Sequence, residues 1–129
     1  MTGIRNEKLL KTAMIAFGVV FCLVYPLAMI WPSGWMWHGG HGAYYFQMIS
    51  GIYVTLGLFL ILASRRPAAH TSLIAFTIWS SVVHAVIMTI QVFHDGANEW
   101  GHLLGDVPAL LLVAAVLGYL MPSAARLPA

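Results

Sequence analysis

The chain has 129 residues, 60% of them hydrophobic and 8% charged, where ordinary soluble domains carry about a quarter charged residues. That balance excludes a soluble globular fold of this size, and the length allows one domain, residues 1–129, at most. A net charge of +2 with no basic stripe excludes a nucleic-acid-binding surface, and the single cysteine, Cys22, excludes an intrachain disulfide or a paired-cysteine redox motif.

Four apolar stretches are long enough to cross a bilayer, which needs roughly 20 residues per helix. The first runs from about Leu9 to Ile30, with Arg5, Lys8 and Lys11 at its start. It is longer than a secretory signal core and no A-x-A site follows, so it is expected to be an uncleaved span. Tyr25-Pro26 is predicted to kink it near its far end. The second and third spans are predicted over 44–63 and 71–93. Their short connection, Ser64 to His70, makes them neighbours running in opposite directions.

The fourth span is expected over about 102–121, ending before Pro122. Asp106 followed by Pro108 reads as a helix start, with Asp106 as N-cap. A helix from Val107 to Met121 would rise only about 22 Å, short of a hydrocarbon core of about 30 Å. The helix is therefore expected to begin near Asn98 to His102 and kink at Pro108, or else a short interfacial helix precedes a short span. The predicted fold class is all-α: an integral membrane, up-down-up-down four-helix bundle. Small residues four apart, Gly18 with Cys22, Gly51 with Thr55 and Ala114 with Gly118, offer close-packing faces.

Charge assigns the sides. All six Lys and Arg lie before the first span, at Arg65 and Arg66 between the second and third, or at Arg126 after the fourth. The positive-inside rule then places both termini and the middle loop in the cytoplasm, and loops 31–43 and 94–106 outside. Trp31, Trp35, Trp37, Tyr44, Tyr45 and Trp100 gather at the outer boundary, where amphipathic rings settle.

Those outer loops hold four of the six histidines, His38, His41, His94 and His102, and three of the four carboxylates, Asp95, Glu99 and Asp106. Neutral imidazole and carboxylate are ligands of transition metals. The candidate metal set is His38, His41, His94 and His102, with Asp106 as a fifth ligand. His102 and Asp106 stand one helical turn apart, a spacing that lets both reach one ion. Gly39, Gly40 and Gly42 would let the first loop fold tightly over the bundle mouth. The bland alternative is a set of ordinary interfacial residues, with Asp106 capping a helix and Asp95 and Glu99 keeping a loop soluble.

A second candidate lies deeper. His84 falls near the middle of the third span, where ionisable side chains are costly and are functional candidates by default. His84, Gln91 and Asp95 fall within roughly 20° of one line at about 100° per residue. With Gln47 from the second span they form a candidate stripe for a quinone-like head group or for protons. The alternative is a histidine hydrogen-bonded to a Ser, Thr or Tyr of a neighbouring helix. No other span has a histidine at the depth of His84, so a bis-histidine haem is less expected than a non-haem metal and would have to use the outer histidines.

The run Trp37-His38-Gly39-Gly40-His41-Gly42 after the first span, with His94-Asp95 and Trp100-Gly101-His102 before the fourth, resembles small four-span bacterial inner-membrane proteins of unknown function. The resemblance covers nearly the whole chain. It implies a bacterial cytoplasmic membrane and carries over no activity and no site residues. One cysteine sets the chain apart from quinone-linked disulfide oxidases, and the absence of a glutamate in the first span sets it apart from small multidrug exporters. The sequence names no reaction. The expected roles are a metal-binding membrane module, an accessory or structural subunit that self-associates or joins other membrane subunits, and a quinone-reactive or proton-handling protein, in that order. The expected partners are the lipid bilayer and those subunits, with no nucleic acid.

Overall fold

The computed structural model describes residues 2–35 and 44–122, and the described residues are helical with no strand. Six α-helices are present: α1 (Thr2–Cys22), α2 (Val24–Ile30), α3 (Pro32–Trp35), α4 (Tyr44–Ala63), α5 (Thr71–Asp95) and α6 (Asp106–Leu120). Two 3-10 turns, Pro67–His70 and Ala97–Leu103, lead into α5 and α6. The segments Tyr44–Ala63, Pro67–Asp95 and Glu99–Leu120 are each long and apolar enough to cross a membrane, and α1 with α2 makes a fourth if the bent pair is one span. Large apolar side chains such as Ile52, Phe76, Trp79, Ile90 and Leu112 face outward. Water would not tolerate so much contiguous apolar surface, whereas lipid requires it. The chain is a multi-pass membrane protein.

The first span departs from the predicted kink at Tyr25-Pro26. It breaks at Leu23, where α1 and α2 meet at 61°. Pro26 has no N–H to give the Cys22 carbonyl, and its ring crowds that same carbonyl, so the helix fails one turn upstream of the proline. The Leu23 N–H is shared between the Val19 and Val20 carbonyls, at 3.1 and 3.0 Å, which tightens the end of α1 before the chain turns.

Helix pairing also departs from expectation. α4 and α5 follow one another in sequence but do not pack backbone to backbone; the close pairs are α1 with α4 and α5 with α6, and α1 also packs on α6. The α1–α4 seam is closed by glycine. A Cβ on Gly18 would sit 2.7 Å from the Gly57 carbonyl oxygen, and one on Gly57 would collide with the Gly18 oxygen and lie 2.9 Å from Cys22 Sγ. Further along the seam Cys22 contacts the Val54 carbonyl and Tyr25 contacts Phe46. The partner numbers fall as the α1 and α2 numbers rise, so the two helices run antiparallel. Of the predicted small-residue faces, Gly18 with Cys22 is a packing face, while Gly51 and Gly118 have open space where a Cβ would go.

Two apolar clusters fill the interior. Leu10, Met14, Phe21, Leu60, Ala63, Ile74, Val113 and Leu117 join all four spans toward the end that carries Arg65 and Arg66. Ala85, Met88, Val107 and Leu110 join α5 and α6 toward the other end. Tyr53 packs against both and marks their junction.

Candidate functional site

The fourth span does not begin as one α-helix kinked at Pro108. α5 stops at Asp95 because Gly96 turns at φ 88, a left-handed conformation that glycine adopts without steric cost. The chain then winds as the 3-10 turn Ala97–Leu103 before α6 begins. In a 3-10 turn residues three apart eclipse one another. Glu99 and His102 therefore share one edge, and that edge faces inward, at 4% and 0% exposure. Trp100 and Leu104 face outward. Asp106 is the first residue of α6 rather than its N-cap, which is Gly105, and Pro108 sits in the first turn, where its missing N–H costs nothing.

These three side chains meet. His102 Nδ1–H donates to the Asp106 carboxylate, with both oxygens in reach at 2.9 and 3.0 Å. Nε2 of the same ring lies 3.2 Å from Glu99 Oε2. Asp106 is 8% exposed, so a carboxylate–imidazole–carboxylate cluster is buried almost completely. Its position at the N-terminus of α6 favours the Asp106 charge, because the helix dipole is positive there.

The roof over the cluster is α3, packed on the Ala97–Leu103 turn. Contact is closest at Gly105, where a Cβ would collide with the Gly34 oxygen and lie 2.8 Å from its Cα. Trp31 in turn stacks so closely on Gly34 that a Cβ there would be 2.6 Å from its ring. Both glycines are needed for the backbones to touch.

A second polar pair lies deeper. The Tyr53 hydroxyl and His84 Nδ1 share a hydrogen bond of 2.5 Å, and the rings stack at 5.9 Å with 30° between their planes. Tyr53 also meets the Phe21 ring at 5.2 Å. This pair bridges α4 and α5, whose backbones stand apart. Asp106 is near enough to act electrostatically on both Tyr53 and His84, which links the deep pair to the buried cluster.

The residues predicted from sequence are distributed as follows. His38 and His41 lie outside the described residues. His94 is at the end of α5 with its side chain 86% exposed, 3.1 Å from Asp95 Oδ1. His102 and Asp106 do share a face, and they meet each other. Among the described residues no group of three or more His, Cys, Asp or Glu side chains is arranged to hold a metal ion. Of the predicted stripe, His84 is half-buried, while Gln91, Asp95 and Gln47 are exposed. The buried line of α5 runs instead through Ile74, Thr77, Ser81, Ala85, Met88 and Val92, and Gln91 falls beside it. Ser50 on α4 is buried, and its hydroxyl has no hydrogen-bond partner among the described residues. The alternative reading of His84, a hydrogen bond to a Ser, Thr or Tyr of a neighbouring helix, is the one found, with Tyr53 as the partner, and Glu99, one of the three outer carboxylates, is the second carboxylate on His102. The spacing of Glu99, His102 and Asp106, three then four residues, is the signal for that second carboxylate.

A family model described as a family of unknown function, DUF6632, matches residues 5–127. No curated protein and no solved structure matches the chain.

Proposed function

Because the chain belongs to DUF6632, a family of unknown function, its own residues have to carry any reading, and we propose that it is a proton-handling membrane protein working through Glu99, His102 and Asp106. The observation that supports this is the burial of three ionisable side chains within ion-pair distance of one another. Groups of this kind are expensive in a membrane protein, and apolar residues of similar volume would pack at least as well. A ring flanked by carboxylates on both nitrogens holds or releases a proton according to the charges beside it. Tyr53 and His84 form a second polar pair toward the middle of the bundle, near enough for the charge of Asp106 to bias it, with no hydrogen bond joining the two among the described residues. The chain supplies proton binding in this reading, and no covalent chemistry.

The charge distribution supports an up-down-up-down crossing with both termini on the Arg65–Arg66 side and the cluster at the outer end. Nitrogen-15 NMR of labelled histidine in lipid nanodiscs tests the proposal. His102 is expected to titrate over a broad, non-single-site curve that becomes simple in Glu99→Gln and Asp106→Asn. A single-site His102 curve that ignores both substitutions would overturn it. Metal analysis of the same sample adds a second arm: stoichiometric transition metal lost in His102→Gln would replace proton handling by metal binding.

A further inference from the structure

The failure of α4 and α5 to pack along their length leaves a groove of about 680 Å³ between them. Gly51, Thr55 and Phe59 line it from α4, and Leu73 and Phe76 from α5. It is an open groove on the lipid-facing surface rather than an enclosed cleft. It follows α4 for roughly 16 Å, from Met48 to Phe59 at 1.5 Å per residue. The lining makes no polar demand. The Thr55 hydroxyl is already spent on the Gly51 carbonyl at 3.0 Å, and open space stands where a Gly51 side chain would be.

One end of the groove runs into the loop that joins its two walls. Phe59 is one turn from the end of α4, and Leu73 lies in the first turn of α5. The loop between them carries Arg65 and Arg66, both exposed, and neither guanidinium is ion-paired among the described residues. The loop backbone is held by its own bonds, Arg66 N–H to the Ala63 carbonyl at 3.0 Å and Ala69 N–H to the Arg66 carbonyl at 3.0 Å. Ser64 closes the end of α4 through a 2.6 Å bond to the Ile61 carbonyl. Two adjacent cations are thus presented, on an ordered turn, at the headgroup end of a hydrocarbon-lined channel.

We propose that the α4–α5 groove is a binding site for one anionic phospholipid, its acyl chain along Gly51, Thr55 and Phe59 and its phosphate on Arg65 and Arg66. An apolar groove alone would accept any chain from the surrounding bilayer. The paired arginines are what select the headgroup, since two adjacent cations favour a lipid of net negative charge over zwitterionic phosphatidylcholine, whose choline neutralises its phosphate.

The test uses the full chain, reconstituted in vesicles of equal phosphatidylglycerol and phosphatidylcholine, then re-extracted in mild detergent. Lipid retained per protein is counted by native mass spectrometry. The wild-type chain is expected to keep phosphatidylglycerol over phosphatidylcholine by at least about tenfold, given roughly 1 kcal/mol for each basic residue near an anionic surface. Arg65→Gln with Arg66→Gln brings the ratio near one, while Arg65→Lys with Arg66→Lys, which keeps the charge, keeps most of the preference. Gly51→Phe, which grows into open space, loses both lipids with its helical circular dichroism unchanged. Equal retention of the two lipids by wild type overturns the proposal. So does a glutamine variant with an unchanged ratio, or a lipid-free dimer with a second copy seated in the groove.

Discussion

Asp106 is where one substitution separates structure from charge. Its carboxylate takes the Nδ1–H of His102 with both oxygens, in a site of 8% exposure or less. Asp106→Ala leaves the buried Nδ1–H of His102 without its acceptor, and if the ring is charged, leaves Glu99 as the counter-charge at its other nitrogen. The lost acceptor costs about 1–3 kcal/mol. Asp106→Asn retains an acceptor and should cost less. The double change His102→Leu with Asp106→Leu takes the ring away from Glu99 as well, so the triple change that adds Glu99→Leu is the one expected to be milder than Asp106→Ala alone. Equilibrium unfolding in mixed detergent micelles measures all of these. Additive costs in the double variant would mean that the two side chains do not act as a pair. At this scale the spacing is readable and the burial is not. His102 and Asp106 are four apart and meet as expected. Glu99, three residues before His102, shares its edge in either kind of helix, but nothing in the composition of residues 97–103 announces that this edge faces inward.

Helix pairs are decided by glycine more than by hydrophobicity. Every span is apolar around most of its circumference, so the periodicity that assigns neighbours in soluble bundles is missing here. That is why span positions are legible from hydropathy and the pairing of α1 with α4 is not. Gly57 and Gly51 lie on the same helix and make a controlled contrast. A side chain at Gly57 meets the backbone of α1, which no rotamer change relieves, whereas a side chain at Gly51 meets open space. Gly57→Leu is expected to destabilise by about 1–3 kcal/mol or more through overpacking, and Gly51→Leu to fall within about 0.5 kcal/mol of wild type. Mixed-micelle unfolding compares the two, and equal effects would show that the seam is not closed by backbone contact. The break in the first span is legible in part, since Pro26 announces it. Its location at Leu23 follows from the proline's reach back to the Cys22 carbonyl.

For the molecule as a whole, the strongest expectation is about sides. Arg66 precedes the 3-10 turn that leads into α5, and Asp95 is the last residue of that helix, whose 25 residues rise roughly 37 Å at 1.5 Å per residue. With native Cys22 replaced by Ala, Arg66→Cys and Asp95→Cys should react with a membrane-impermeant maleimide from opposite faces. In intact cells only the Asp95 position should label, and both should label after permeabilisation. Labelling of both positions in intact cells would overturn the assigned crossing. The sides of the crossing are the most direct expectation the sequence offers, because they depend on where cations are absent, and this labelling is what tests them. The relation between the buried cluster and the deeper pair is the least legible, since the contact of Tyr53 with His84 requires the register of α4 against α5.

The contact between Gly34 and Gly105 has a consequence for the order of assembly. It joins positions about seventy residues apart, so it cannot form until the last span has been made. During synthesis α3 emerges early and its counterpart late. Glu99, His102 and Asp106 can therefore stay hydrated until Gly105 seats under Gly34. The cost of desolvating the cluster then falls on the docking of two backbones rather than on membrane insertion.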